Sequence, residues 1–337
     1  MINRIGKRTA VLPEPPVITA AASAVGKKEG QGPLGDCFDL RIEDSFFGEK
    51  TWEQAESRLQ RTAMELALQK AGLRPEELDC VFAGDLLNQC IGSTFGLKEL
   101  NVPFFGVYGA CSTMAESLSL AAMTVSGGFA RRAAAVTSSH FCSAERQFRL
   151  PLEYGGQRTP TAQWTVTGAG AVILSQTGAG PRVTHVTAGR IVDPGIRDAN
   201  NMGAAMAPAA YDTISAHLED LGLEPGGYDR IFTGDLGAVG SDLLRDLFAR
   251  DGTDISPVHR DCGVMMFDRK RQDVHAGGSG CGCSAAILCG HILPELLAGR
   301  LRRVLFCATG ALLSTVSSQQ GQSIPGICCA VAISSGR

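Results

Sequence analysis

One stretch of this chain occurs twice. Residues Leu68–Leu86 return at a constant offset of 150 as Leu218–Leu236, and nine of the nineteen positions are identical. The shared residues include Gly72 and Gly222, Pro75 and Pro225, Asp79 and Asp229, and a closing Gly-Asp-Leu. Each copy reads as the end of a helix stopped by glycine, a proline soon after, and a short β-branched or aromatic strand ending at Gly-Asp. A chain of 337 residues that repeats a helix–turn–strand unit in this way predicts two related α/β halves, residues 1–178 and 179–337.

The flanking sequence extends the unit. Thr51 and Gln54 have capping-box spacing ahead of an amphipathic helix over 51–71. An apolar strand at Phe104–Tyr108 runs into Gly109-Ala-Cys-Ser-Thr113, and a helix from about Ser112 to Val125 is apolar on nearly every side, which predicts burial. In the second half, Gly-rich Gly277–Ser284 opens a helix reaching about Leu297. Paired arginines, Arg131-Arg132 and Arg302-Arg303, precede the next strand in both halves; counting from them sets Cys111-Ser112 against Cys283-Ser284 with one residue of slippage. Strands alternating with helices predict mainly parallel sheets covered on both faces.

Charge and composition narrow the function classes. With 31 basic and 34 acidic residues evenly mixed, there is no field for nucleic acid and no basic arm for lipid head groups. No stretch has the pattern of a signal peptide or a membrane-spanning helix. A small ligand or a protein partner, in a cytosol-like compartment, is the expectation. The 12 cysteines read as thiols, most of them small buried side chains. Their spacings do not suit zinc, and Gly278–Gly282 lacks both the glycine spacing and the acidic residue of a dinucleotide loop. Neither a metal nor a cofactor is called for.

Cys111 stands out because it lies between a strand, expected to be buried, and the start of a buried helix, where unpaired N–H groups and the helix dipole favour an anion and a thiol ionises more readily. It reads equally as a nucleophile or ligand-facing thiol and as a small residue at a crowded turn. Asp85 and Asn88, at the end of the first repeated strand, are candidates for a ligand's hydrogen bonds, although Asp235 in the matching place gives a turn role equal weight. His259 and His275 read as loop histidines near the Gly-rich turn.

Two α/β halves, Gly-Ala-Cys-Ser-Thr at a strand end and a late Gly-rich turn opening the matching helix resemble the thiolase superfamily of condensing enzymes, across almost the whole chain. The resemblance implies an αβαβα thiolase-like fold and a homodimer. More narrowly, Phe82–Gln89, Val107–Met114 and Asp273–Ser284 resemble a sporulation branch of that superfamily, part of the channel system that moves dipicolinic acid into bacterial forespores. That implies dipicolinic acid, alone or with calcium, as ligand. It also implies membrane proteins of the same channel as partners, and a peripheral position on the cytoplasmic side of the forespore inner membrane. The ligand would lie among Cys111, Ser112, Asp85, Asn88, His259, His275, Ser279, Cys281 and Cys283, where the helices starting near Cys111 and Cys283 aim their N-termini at one cavity.

The sequence departs from the enzymes of the superfamily. Condensing enzymes pair the nucleophile with His and Asn, two His, or His and a second Cys, to polarise a thioester carbonyl. After Arg230–Thr233, where the ketoacyl-synthase type has its first His, this chain has Gly234-Asp-Leu-Gly237; the Gly-rich turn offers Ser279, Gly280 or Cys281; and Ser323–Gly326 replaces the closing glycine turn of thiolases. A non-catalytic binding protein is therefore expected. The alternatives are an acyltransferase using Cys111 with His259 or His275 as base, and a scaffold with a vestigial cavity.

Overall fold

The computed structural model describes residues 3–148 and 158–336. Its principal strands are β1 (Val17–Gly26), β2 (Cys80–Gly84), β3 (Phe104–Gly106), β4 (Arg132–Ser139) and β5 (Gly168–Ser175), then β6 (Arg182–Thr187), β7 (Arg230–Thr233), β8 (His259–Asp261), β9 (Arg303–Ala311) and β10 (Gly326–Ser334). The main helices are α1 (Trp52–Ala71), α2 (Thr113–Ser126), α3 (Phe141–Phe148), α4 (Met202–Leu221), α5 (Gly237–Arg250) and α6 (Cys281–Ile287).

The repeat is visible as topology. The first block has the order β3-β2-β4-β5-β1 and the second β8-β7-β9-β10-β6, and the two meet edge to edge through the pair Arg182–Val17. In each block the repeated strand, β2 or β7, runs parallel to both neighbours, whereas the closing strand, β5 or β10, runs antiparallel to both of its own. The expectation of mainly parallel sheets is thus corrected. β5 comes back beside β4, and β10 beside β9, in the opposite direction, the chain having passed through α3 in the first case and the short helix Thr315–Gln319 in the second, and such a return makes an antiparallel pair.

The repeated residues do the same work twice. Thr51 Oγ1 accepts the Gln54 N–H at 3.2 Å to start α1, Asn201 caps α4, and Gly72 and Gly222 end these helices at φ 65° and 62°. Asp79 accepts the backbone N–H groups of Arg131 and Arg132 at 2.7 and 2.9 Å, and Asp229 those of Arg302 and Arg303 at 2.6 and 2.8 Å. Each pins the entry of β4 or β9 beside the repeated strand. Gly84 ends β2 because a Cβ there would stand 2.1 Å from the Val107 carbonyl oxygen.

Helix α2 packs on β2 and β4 of the first block and on β9 and β10 of the second, with α6 beside it on β1, β4 and β5. Met114, Leu118 and Val125 of α2 are buried in this central layer, each contributing about 1.5–3 kcal/mol. Helix α1 covers the outer face of the first block and α4 that of the second. Strand β3, expected to be buried, is the outermost strand of its block and exposes Phe104 and Phe105. Among the described residues no helix is long and apolar enough to cross a membrane.

Candidate functional site

The halves diverge at the last aspartate of the repeat. Asp85 is consumed locally: its carboxylate accepts the N–H of Leu87 at 2.9 Å, and the N–H and hydroxyl of Ser93 at 2.7 and 2.6 Å, tying the β2 exit to the short helix Ile91–Leu97. Asp235 turns inward instead. It accepts the Gly280 N–H at 2.8 Å and the Ser279 and Thr309 hydroxyls at 3.1 and 3.0 Å.

Beside Asp235 lies Cys111. Ala110, at φ 52°, makes the sharp turn that sets the cysteine ahead of α2, a left-handed conformation that alanine adopts only at a cost. The Cys111 Sγ lies 3.8 Å from the Ser279 Oγ and faces a cavity lined by Leu86, Tyr108, Ala144, Glu145, Phe148 and Thr165, with Ala199, Met202, Ala311 and Leu313 opposite. A water's centre has about 40 Å³ to occupy, room for very few waters. Among the described residues the lining includes no histidine, asparagine, lysine or arginine. Glu145 places a carboxyl group in the wall, reached by the Thr165 hydroxyl at 3.0 Å.

The electrostatics oppose an active thiolate. Burial first, and the Asp235 carboxylate second, push the Cys111 thiol well above its ordinary range. Burial in turn raises Asp235 to about 6. The expectation that the helix terminus would ionise this thiol is corrected: a dipole worth about 0.3–1 kcal/mol does not outweigh desolvation beside a carboxylate. Nor are both helix ends open to a ligand anion, because at α6 the Gly280 N–H is given to Asp235 and the Gly282 N–H to the Ser139 Oγ at 3.2 Å.

Of the residues singled out in the sequence, the structure brings Cys111 and Ser279 together at the cavity, with Cys281 packed behind Cys111 and its Sγ turned to the Ser138 carbonyl at 3.0 Å. Ser112 does not line the cavity; its hydroxyl contacts the Gly109 carbonyl at 2.7 Å and Glu116 at 2.5 Å. Asn88 lies on the neighbouring surface, paired with Gln147 at 3.1 and 3.2 Å. His259 is not in a loop but on edge strand β8, bonded to Thr233 at 2.9 Å and held by burial at about 4. His275 faces Asp273 at 3.3 Å, and neither histidine lines the cavity. Cys283 is inside α6 with its side chain in the central core. The residue two before the first helical position, as Cys111 is for α2, is Ser279. Ser279 stands 23 residues before Arg302 whereas Cys111 stands 20 before Arg131, and a π turn at Leu288–Ile292 supplies only one of the three extra residues, so counting back from the arginines fell on the wrong cysteine.

Asp235 is the residue that sequence reasoning passed over. Its signal was its place, directly after β7, where the ketoacyl-synthase type carries its first histidine.

The order of the two five-stranded blocks, the paired central helices and the cysteine at the α2 entry define a thiolase-like protein. Similar folds include 3-oxoacyl-[acyl-carrier-protein] synthase III from Aquifex aeolicus VF5, at TM-score 0.55 and 14% identity over 95% of this chain and 99% of that one. A single-substitution variant of OleA from Xanthomonas campestris is similar at TM-score 0.60 and 15% identity over 99% of both. The family model for stage V sporulation protein AD matches residues 6–334. Stage V sporulation protein AD of Bacillus subtilis (strain 168) is 47% identical over 322 residues, which cover 96% of this chain and 95% of that protein. The chain belongs to the stage V sporulation protein AD family.

Proposed function

We propose that this chain is a non-catalytic thiolase-like protein that binds dipicolinic acid, or its calcium salt, and serves its uptake into the developing spore. The observation that carries the non-catalytic part is Asp235: its carboxylate stands against the thiol, raises it, and when ionised has no proton to donate to a developing oxyanion. Acyl transfer from a thioester requires a thiolate and a donor for the developing oxyanion, and among the described residues the cavity wall supplies neither from a histidine or an asparagine. The ligand reading rests on family membership and on the size and flatness of dipicolinate. Two charge-assisted hydrogen bonds of about 1.5–3 kcal/mol each, less ordering costs, give an affinity between micromolar and millimolar.

A homodimer, peripheral on the cytoplasmic side of the forespore inner membrane and docked on membrane proteins of the channel, completes the proposal. In support of the dimer, β3 leaves one sheet edge unpaired among the described residues, with Phe95, Phe104, Phe105 and Tyr108 exposed around it. Such an edge is satisfied by antiparallel pairing with a second copy. Calorimetric titration of dipicolinate, with and without calcium, into the full chain tests the ligand. Saturable heat below millimolar concentration supports it, and none at millimolar concentration refutes it.

A further inference from the structure

The charge on Asp235 sets which way the polar wall of the Cys111 cavity faces. An ionised carboxylate only accepts hydrogen bonds. Ser279 and Thr309 must then donate their hydroxyl protons to it, at 3.1 and 3.0 Å, and the Gly280 N–H is given to the same oxygen as Ser279 at 2.8 Å. In that state Ser279, which lines the cavity beside Cys111, turns only lone pairs toward it. A carboxylate entering there meets those lone pairs and, one hydrogen bond behind them, a negative charge.

Asp235 is wholly buried, and the groups that hold it are neutral: the Gly280 N–H, the Ser279 and Thr309 hydroxyls and the Cys111 thiol. The other titratable groups facing it are acids. They are Asp261 on β8, Cys262 directly after it, and Cys281 and Cys283 on α6. Across the cavity α3 adds Glu145. His259, bonded to Thr233 on the far side of Asp261, is kept neutral by burial. Burial alone raises Asp235 to about 6, so at neutral pH it is mostly ionised in the empty protein. A ligand carboxylate about 2.7 Å from the Ser279 Oγ stands within about 6 Å of the Asp235 Oδ2. At an effective dielectric near 20, a charge at that distance raises the proton affinity of Asp235 about a hundredfold, enough to keep it protonated at neutral pH.

We infer that the Cys111 cavity takes up a carboxylate together with a proton, which settles on Asp235 and turns the Ser279 hydroxyl from Asp235 toward the ligand. The protonated Oδ2 donates to the Ser279 Oγ, and the Ser279 O–H donates to the ligand carboxylate. One proton is gained from water, one hydrogen bond reverses, and no covalent bond to carbon or sulfur changes. The space at the thiol, about 40 Å³ for water centres, takes one carboxylate group. Tyr108, Phe148 and Leu313 line both this space and an outer recess of about 290 Å³, toward which the rest of a dicarboxylate extends. The inference deepens the proposed function by naming the form in which the site accepts its ligand, and it rests on that reading for dipicolinate as the ligand.

Dipicolinate is titrated calorimetrically into the full chain at pH 7 in calcium-free buffers of different ionisation enthalpy, which gives the number of protons taken up per ligand. The titration is repeated from pH 6 to 8, a range over which carboxylates in solution are already ionised. The expected result is close to one proton per ligand at pH 7 and an affinity that weakens toward about tenfold per pH unit as Asp235 ionises in the empty protein. Asp235→Asn and Ser279→Ala are compared, with melting curves to show that each is folded. In Asp235→Asn the uptake falls to zero and the affinity no longer follows pH. In Ser279→Ala binding at pH 6 weakens about tenfold or more, the loss of one charge-assisted bond. Binding without proton uptake in the unaltered chain, or uptake that persists in Asp235→Asn, overturns the coupling and leaves the proposed function standing. Undiminished binding by Ser279→Ala overturns the turning hydroxyl. No saturable binding at pH 6 or pH 7 overturns both the coupling and the ligand reading.

Discussion

Replacing Asp235 by Asn tests what keeps Cys111 inert. Two unit charges about 4 Å apart at an effective dielectric near 20 interact by about 4 kcal/mol, and one unit of pKa is about 1.36 kcal/mol. Even a quarter of that Coulomb energy, about 1 kcal/mol, lowers the Cys111 pKa by roughly 0.7 unit and multiplies its thiolate fraction about fivefold; the full value would give near a thousandfold. Burial, the larger cause of the raised thiol, is unchanged by the substitution. The carboxamide keeps one acceptor oxygen for the Gly280 N–H or a hydroxyl, but its nitrogen faces hydroxyls that must turn from donating to accepting. The assay is pulse alkylation with iodoacetamide at pH 8, read by peptide mass spectrometry, with exposed Cys37 as reference in the same molecule. The ratio of Cys111 to Cys37 labelling should rise at least fivefold in the folded variant. An unchanged ratio would refute the claim that Asp235 holds the thiol protonated.

Stability should depend on pH from two sides. Asp235 is raised from its ordinary 3.8 to about 6 in the folded state; a carboxyl raised on folding stabilises while protonated, so about 3 kcal/mol should be lost as pH climbs from about 4 to 6. Asp261, raised to about 7, extends that loss toward neutrality. His217, bonded to Thr187 and Tyr228 at 2.7 and 2.5 Å, is held down at about 3, so its contribution is present above about 6.5 and lost as pH falls below it. Denaturant melts from pH 4 to 8 should show the carboxyl slope flattened in Asp235→Asn, and an unaltered slope would contradict the assignment. Gly282→Ala sets a Cβ 2.2 Å from the Gly168 oxygen and 2.6 Å from the Ser139 Oγ, so a loss of about 2 kcal/mol or more is expected in the same melts. Phe105→Asp, at the open β3 edge, should turn a dimer into a monomer by light scattering without lowering the melting temperature of the monomer; a persistent dimer would place the interface elsewhere.

The duplication carried most of the fold into the sequence, because each repeated residue performs a local, short-range task. Gly72 and Gly222 end helices, Thr51 caps one, and Asp79 and Asp229 pin the arginine pairs. What sequence could not show was long-range. The divergence of Asp85 from Asp235 depends on which loop comes to lie opposite, Ser93 in one case and Gly280 from 45 residues away in the other. The exposure of β3 depends on its being last in its block, and the misplaced match of Cys283 to Cys111 arose because the second half holds three more residues between the turn and the arginine pair.

The central claim, a thiolase-like site that binds without acylating, is tested most directly by native mass spectrometry of the full chain mixed with dipicolinate and an acyl-coenzyme A. The account predicts a dipicolinate adduct that disappears on denaturation and no acyl mass on the denatured chain. An acyl group that survives denaturation and maps to Cys111 would contradict it.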